Sequence, residues 1–417
     1  MSGSESLRVA WRALLWSRLA ILVVAAIAAA GPVATNAARF DDPALTQPLG
    51  GAGDALLSPL VRWDSVWFLR VADSGYPADE RARAAFFPLY PLLVRGGGEL
   101  VGGSRTALLL SAFGISLAAL LGALVLLYRL VAVELGSRFA GPTLALTCAF
   151  PASFFFGAPY SESLFLLTSI GAFYAARTGH WAWAGLAAAA ASGTRAAGVL
   201  LLIPLGLMYL YGPRANRPAT PGPAALVPRH RLAPDALWLA LAPAGLLAYA
   251  AYLAAAHGDA WLFASVQNLW GRELAGPLVG VRDAFVAAFE GARQLAHGSR
   301  EPVFFDRAGG DPFRVAGTNL MLLATLGFSV WATVGVLRRL PIAYGAYLLA
   351  ALLLAVSYPV GPQPLMSLPR FVAVLFPIFM WLALVCERRG ATRRVVGAFA
   401  VVLGGFVTQY VGWWFVA

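Results

Sequence analysis

The sequence predicts an all-α polytopic membrane protein. Of its 417 residues, 59% are hydrophobic and only 12% are charged, against about 25% charged in an ordinary soluble domain. Apolar runs long enough to cross a bilayer recur along the whole chain. The basic residues gather at alternating ends of those runs, as orientation in a membrane demands. One bundle with its loops therefore accounts for residues 1–417 as a single membrane-embedded domain.

Long apolar runs fall near 13–35, 106–128, 234–256, 317–337, 340–358, 369–386 and 395–416. The first contains "AAIAAAG", which looks like a signal cleavage site. It is too long for a signal h-region and many runs follow, so it reads as an uncleaved anchor. Between 139 and 211 the apolar pieces 142–157, 161–176, 181–194 and 196–211 are short. Pro151, Pro159, Gly179 and Gly193 break them, and they read as four short helices. The total is about eleven transmembrane segments.

All 31 basic residues are arginine. With the N-terminus inside, the inner ends carry Arg8, Arg12 and Arg18, then Arg129 and Arg138, then Arg177. The series continues with Arg214, Arg217, Arg229 and Arg231, then Arg338 and Arg339, then Arg388, Arg389, Arg393 and Arg394. The outer turns "APYSES" and "PVGPQPLMSL" carry none, which satisfies the positive-inside rule. Two long loops, 36–105 and 257–316, then face outside and are where a site can be built. The inside loop 212–233 is Pro-rich and reads as a linker. The formal charge of +11 is thus explained by the bilayer, and no compact basic tract points to nucleic acid. Cys148 and Cys386 lie within apolar runs and suggest no disulfide framework. The four histidines show no metal-ligand spacing. The Gly-rich stretches near residues 50 and 95 have no phosphate-cradling pattern.

The first outer loop contains "VRWDSVWFLRVADSGYP", residues 61–77. A helix is expected from Ser65 to about Ser74, ending at Gly75, with Asp64 as its N-cap. Its apolar residues point nearly all the way round, so protein or the interfacial zone must cover it. Arg70 and Asp73 share a face and can pair. Asp64 and Asp73 lie on opposite faces and do not form a metal-binding carboxylate pair. Further on, "AAFFPLYPLL" reads as a second interfacial element.

The stretches "RWDSVWFLRVADSGYP", "AAFFPLYPLL", "PYSESLFLL", "SGTRAAGVLLLIPL" and "LPRFVAVLFPIF" follow one another in this order. In that order the chain resembles the PIG-V-like mannosyltransferases, over about residues 10–385, in a form whose composition looks bacterial. The resemblance implies a GT-C-type bundle that takes a sugar from a polyprenyl-phosphate donor at the outer face. It places an essential acid in the first outer loop, and Asp64 matches that position. The implied sugar is mannose, and the implied acceptor is a hydroxyl of a lipid, glycan or protein. The implied location is the bacterial plasma membrane with the site facing outward.

A lipid phosphate is a good leaving group, so the acceptor hydroxyl is the partner that needs a base. An ionised carboxylate supplies one, worth roughly 10²–10⁴-fold. Asp64 is the candidate, set against its bland role as a helix cap. The phosphate needs cations, and Arg195 and Arg370 are the candidates, since arginine suits phosphate. Arg195 stands in an apolar stretch where arginine costs about 2.5–3.5 kcal/mol. It either snorkels, pairs with an acid or binds phosphate. Glu162 either bonds sugar hydroxyls, pairs with Arg195 or sits at a helix N-terminus. Trp63 and Tyr160 flank the candidate acids and are candidate substrate contacts, with Tyr160 read first as an interfacial anchor. In the second outer loop Gln267, Asn268 and Arg272 can bond a sugar, set against an interfacial helix. "EPVFFDRAGGDPFR", residues 301–314, reads as a candidate acceptor segment. No cofactor is expected, though a divalent ion on the lipid phosphate stays open. A flippase for lipid-linked sugar and a noncatalytic scaffold are the competing readings. The polar residues gather at outer helix ends rather than mid-membrane, which favours a surface-facing enzyme.

Overall fold

The computed structural model describes residues 3–31, 41–214, 230, 232–305 and 310–416. Arg217, Arg229 and Arg231, most of the 212–233 linker, and part of the 301–314 segment lie outside the described residues. Among the described residues there is no strand.

The chain begins with α1 (Gly3–Ala30). In the first long loop, three short helical elements precede α2 (Asp64–Ser74), and α3 (Leu89–Leu100) follows it. Next come α4 (Arg105–Glu134), α5 (Ala140–Ala149), α6 (Glu162–Arg177), α7 (Trp181–Thr194) and α8 (Leu202–Tyr211). Then α9 (Ala244–His257) leads to α10 (Pro277–His297) and α11 (Pro312–Arg339). The chain closes with α12 (Ile342–Val356), α13 (Leu368–Ala373), α14 (Phe376–Arg388) and α15 (Thr392–Val411).

Helix occupies each of the eleven apolar runs. Among the described residues, four helices are long and apolar enough to cross a membrane: Ser4–Ala30, Arg105–Glu134, Pro312–Arg339 and Thr392–Val411. A fifth forms if the pair Pro234–Leu241 and Ala244–His257, bent by 44°, counts as one span. The others are shorter because proline or glycine interrupts them. Pro151 and Pro159, for instance, confine the chain between α5 and α6 to a 3₁₀ turn over Ser153–Phe156.

α4 packs along α6, and α6 along α7. α1 lies against α4, α5 and α15, and α14 fits between α5 and α11. Small residues allow the closest approaches. At Gly245 of α9 a Cβ would stand 2.2 Å from the Ala189 carbonyl oxygen of α7. At Gly280 of α10 it would stand 1.7 Å from the Val356 carbonyl oxygen at the end of α12. α10 turns its small residues Gly280, Ala284, Ala288 and Gly291 inward, while Leu278, Phe285 and Phe289 stay exposed. That is the distribution of a helix lying along an apolar medium.

α2 is almost wholly covered by protein: Ser65, Val66, Phe68, Leu69, Val71 and Ala72 are all buried. It ends where expected, at Gly75, whose φ of 71° suits only glycine without strain. Two details differ from the sequence reading. Asp64 is the first helical residue and Trp63 takes the cap position, with no side-chain capping bond. Arg70 pairs with Asp42 at 3.7 Å and not with Asp73, because the preceding loop folds back over the helix.

Candidate active site

Asp64 heads α2 at the mouth of a cavity of about 350 Å³. The turn before it is fastened by two buried tyrosines from distant parts of the chain. The Tyr160 hydroxyl accepts the Asp64 N–H at 3.1 Å and donates to the Arg62 carbonyl at 3.0 Å. The Tyr410 hydroxyl accepts the Arg62 N–H at 3.2 Å and donates to the same carbonyl at 2.9 Å. Burial pushes the Tyr160 phenol well above its usual pKa, with Tyr410 and Asp64 acting in the same direction. Tyr160 is therefore a lasting neutral donor. It is 1% exposed, so it is a core anchor for Asp64 rather than an interfacial residue.

Opposite Asp64, α13 brings Arg370. The two side chains form a direct hydrogen-bonded ion pair, Arg370 Nη1 to Asp64 Oδ2. The Arg370 Nε also approaches Glu162 Oε1 at 3.4 Å. Arg195 Nη1 donates to that same Glu162 oxygen at 2.7 Å. The result is an alternating chain, Asp64–Arg370–Glu162–Arg195, assembled from α2, α13, the start of α6 and the end of α7. Glu162 is 1% exposed and Arg370 8%, so each would be costly without its partners. Glu162 Oε2 and Arg370 Nε have no hydrogen-bond partner among the described residues. Orphaned buried polar atoms beside a cavity are the groups a ligand can satisfy.

Arg272 completes the set. It donates to the Met366 carbonyl and to Ser367 Oγ, both at 3.2 Å, and meets no carboxylate among the described residues. Burial pulls its pKa down, to about 10, with Arg370 and Arg195 adding to the effect and Asp64 opposing it. Arg272 remains a cation at neutral pH. The Phe371 ring lies among all three guanidinium groups, at 5.3 Å from Arg195, 5.6 Å from Arg370 and 5.8 Å from Arg272. Its face helps hold like charges together. Three guanidinium groups against two carboxylates leave one uncompensated positive charge on the cavity wall.

The backbone is strained here. The non-glycine residues with positive φ among the described residues are Trp63 at 55°, Ser367 at 73° and Trp413 at 61°. Trp63 precedes Asp64, Ser367 starts the helix that bears Arg370, and Trp413 packs on Trp63 at 6.0 Å. Such outliers persist only where surrounding contacts hold them, and they gather at functional sites.

The rest of the cavity is apolar. Phe87 and Phe263 line it on one side; Tyr347, Ala351, Leu354 and Val374 line it on another. A charged end and an apolar flank suit an amphiphile with an anionic head. Gln267 lines the cavity with Asp64, Glu162, Arg195, Arg272 and Arg370, whereas Asn268 does not. Trp63 turns away, edge-on to Trp413 and to Phe415 at 5.2 Å, and Tyr160 stands behind the ion pairs. Phe371, Ser367 and Tyr410 escaped the sequence reading. Phe371 was within reach because it adjoins Arg370. The roles of Ser367 and Tyr410 arise from backbone geometry and a contact across 348 residues. No group of three or more His, Cys, Asp or Glu able to hold a metal occurs among the described residues.

The molecule is thus a helical membrane protein with a charged, half-buried cavity beside an apolar flank. A family model described as Mannosyltransferase (PIG-V) matches residues 11–208, and the chain is PIG-V-like over that stretch. Asp64, Tyr160, Glu162 and Arg195 fall within it; Gln267, Arg272 and Arg370 lie beyond it. The mouse "GPI alpha-1,6-mannosyltransferase 2" is 34% identical over 177 residues, which are 40% of this chain and 35% of the mouse protein. The Yarrowia lipolytica "GPI mannosyltransferase 2" is 34% identical over 149 residues, 36% of this chain and 40% of that protein. The chain therefore spans well under half the length of the relatives it matches. An Archaeoglobus fulgidus oligosaccharyltransferase structure superposes with a TM-score of 0.40 at 13% identity, covering 96% of this chain and 55% of the other.

Proposed function

We propose that the chain is a membrane glycosyltransferase that moves a sugar, mannose first among the candidates, from a polyprenyl-phosphate donor to an acceptor hydroxyl. The observation that carries this reading is the charged chain Asp64–Arg370–Glu162–Arg195 beside Arg272 at the head of an apolar-flanked cavity. The PIG-V-like character of residues 11–208 supports the choice of sugar.

The reaction assigned to the site is a direct displacement. The acceptor oxygen bonds to the anomeric carbon as the bond from that carbon to the phosphate oxygen breaks. The electron pair leaves with the polyprenyl phosphate, and the hydroxyl proton passes to the Asp64 carboxylate. One displacement inverts the anomeric centre. The donor phosphodiester carries one negative charge, which the site's surplus positive charge offsets. Arg272, with no carboxylate of its own, is assigned as its first ligand, and Arg195 and Arg370 join it. A phosphate drawing on Arg370 weakens the Arg370 hold on Asp64. Donor binding thereby frees the carboxylate for the acceptor. Glu162 keeps Arg195 and Arg370 in register and offers Oε2 to sugar hydroxyls, with Gln267 beside it. Water is kept from the reacting carbon by the aromatic walls, which strengthens these charge interactions.

The test uses membranes containing the chain and a panel of radiolabelled polyprenyl-phosphate sugars. Label should appear in a glycosidic product, with polyprenyl-phosphate mannose the best donor. Movement of label across the bilayer with no bond formed would instead make the protein a flippase.

A further inference from the structure

A second cavity lies at the other end of the bundle, between the C-terminal ends of α11 and α14. Its volume is about 390 Å³. Arg338 and Arg339 from α11 and Arg388 and Arg389 from α14 converge on it, and no carboxylate lines it. None of these four guanidinium groups has a hydrogen-bond or ion-pair partner among the described residues. Trp331 and Trp381 line it too, edge to face at 4.5 Å. Gly335 makes the arrangement possible: a Cβ there would meet the Trp381 ring at 2.1 Å.

Arginines at a helix C-terminus satisfy the helix dipole, but that task needs no shared cavity. Four exposed cations around one space that no carboxylate lines favour the entry of an anion. The adjoining surface identifies the kind of anion. On α11 the exposed side chains next to the cavity are Val330, Trp331 and Val334, at 52%, 52% and 41%. An apolar strip leading to a basic pocket suits a phospholipid, with its headgroup at the arginines and its chains along the helix. The cavity also lies far from the first site. Val374 and Leu375, just before α14, line the first cavity, and Arg388 ends α14, a helix of 13 residues or about 20 Å at 1.5 Å per residue. The two cavities therefore lie at opposite ends of α14.

We propose that this cavity is a binding site for the phosphate headgroup of an anionic phospholipid in the leaflet opposite the substrate cavity. The test is native mass spectrometry and thermal unfolding of the purified full chain. The probes are phosphatidylglycerol, phosphatidylcholine with the same acyl chains, and inorganic phosphate. The wild type should retain phosphatidylglycerol and be stabilised by it over phosphatidylcholine. The double variant R338Q/R388Q should retain it at least about a hundredfold less, from the loss of two charge-assisted bonds. The double variant R393Q/R394Q removes two arginines outside the cavity and should behave as wild type. R338K/R388K keeps the charge and guards against simple misfolding; it should recover most of the preference. Equal retention by R338Q/R388Q and R393Q/R394Q would mean a general positive-face effect and overturn the site. Stabilisation by inorganic phosphate equal to that by phosphatidylglycerol would overturn the lipid assignment.

Discussion

At Asp64 one carboxylate is held at both ends. Its backbone N–H is fixed by Tyr160, and its side chain is fixed by Arg370. Replacing Tyr160 by Phe leaves the Asp64 N–H without its partner in a buried turn. That should cost about 1–3 kcal/mol, read as a lower unfolding midpoint of the purified protein. Unchanged stability would show that the turn is held by Tyr410 alone. Arg272→Gln should lower donor affinity by about 10- to 100-fold, from about 1.5–3 kcal/mol for a charge-assisted bond. The same change should leave the acceptor KM nearly untouched. A loss confined to the acceptor KM would move Arg272 to the other substrate. Asp64 was singled out by the resemblance to the PIG-V-like family, and Glu162, Arg195 and Arg370 because charge is scarce in this chain; the structure brings the four side chains together. Tyr160 was misread as a membrane-interface anchor, since a tyrosine beside an outer turn carries no sign of a partner 98 residues away.

The helices show what periodicity conveys and what it does not. The apolar runs located helix along the chain, and Gly75 marked the end of α2. The cap role of Asp64 did not follow, because the strained Trp63 conformation and the two tyrosines set the start of that helix. α10 lay inside a stretch read as an outer loop, since its outward apolar residues alternate with charge and never form a long run. Its seating rests on Gly280. Gly280→Ala should force α10 from the Val356 carbonyl and cost about 1–3 kcal/mol, seen in thermal unfolding. Gly206→Ala, in α8, has open space around it and should be neutral or stabilising by up to about 1 kcal/mol. Equal effects of the two changes would show that helix contact does not limit stability there.

For the whole molecule, the arginine distribution predicts a direction across the membrane. The cavity with Asp64 lies near the start of α14, where Val374 and Leu375 line it, and the Arg388 cluster lies at the end of α14. Cysteines introduced for Arg300 and for Arg394 report the two faces. Cys148 and Cys386 are buried and should stay silent. An impermeant thiol reagent added to intact cells should label Arg300→Cys directly and Arg394→Cys only after permeabilisation. The reverse pattern would invert the orientation and turn the substrate cavity to the cytosol. Sequence predicts this polarity because the positive-inside rule acts on composition at helix ends. The sequence could not convey how four distant segments would meet to build one charged chain from Asp64 to Arg195.

The proposed role of Asp64 as the group that takes the acceptor proton is measured by the turnover of Asp64→Asn. The amide is nearly isosteric and still accepts a hydrogen bond from Arg370, so donor binding should stay within a few-fold of wild type. Transfer to the acceptor should fall by roughly 10²–10⁴-fold. Transfer at the wild-type rate by a variant that still binds donor would contradict the account.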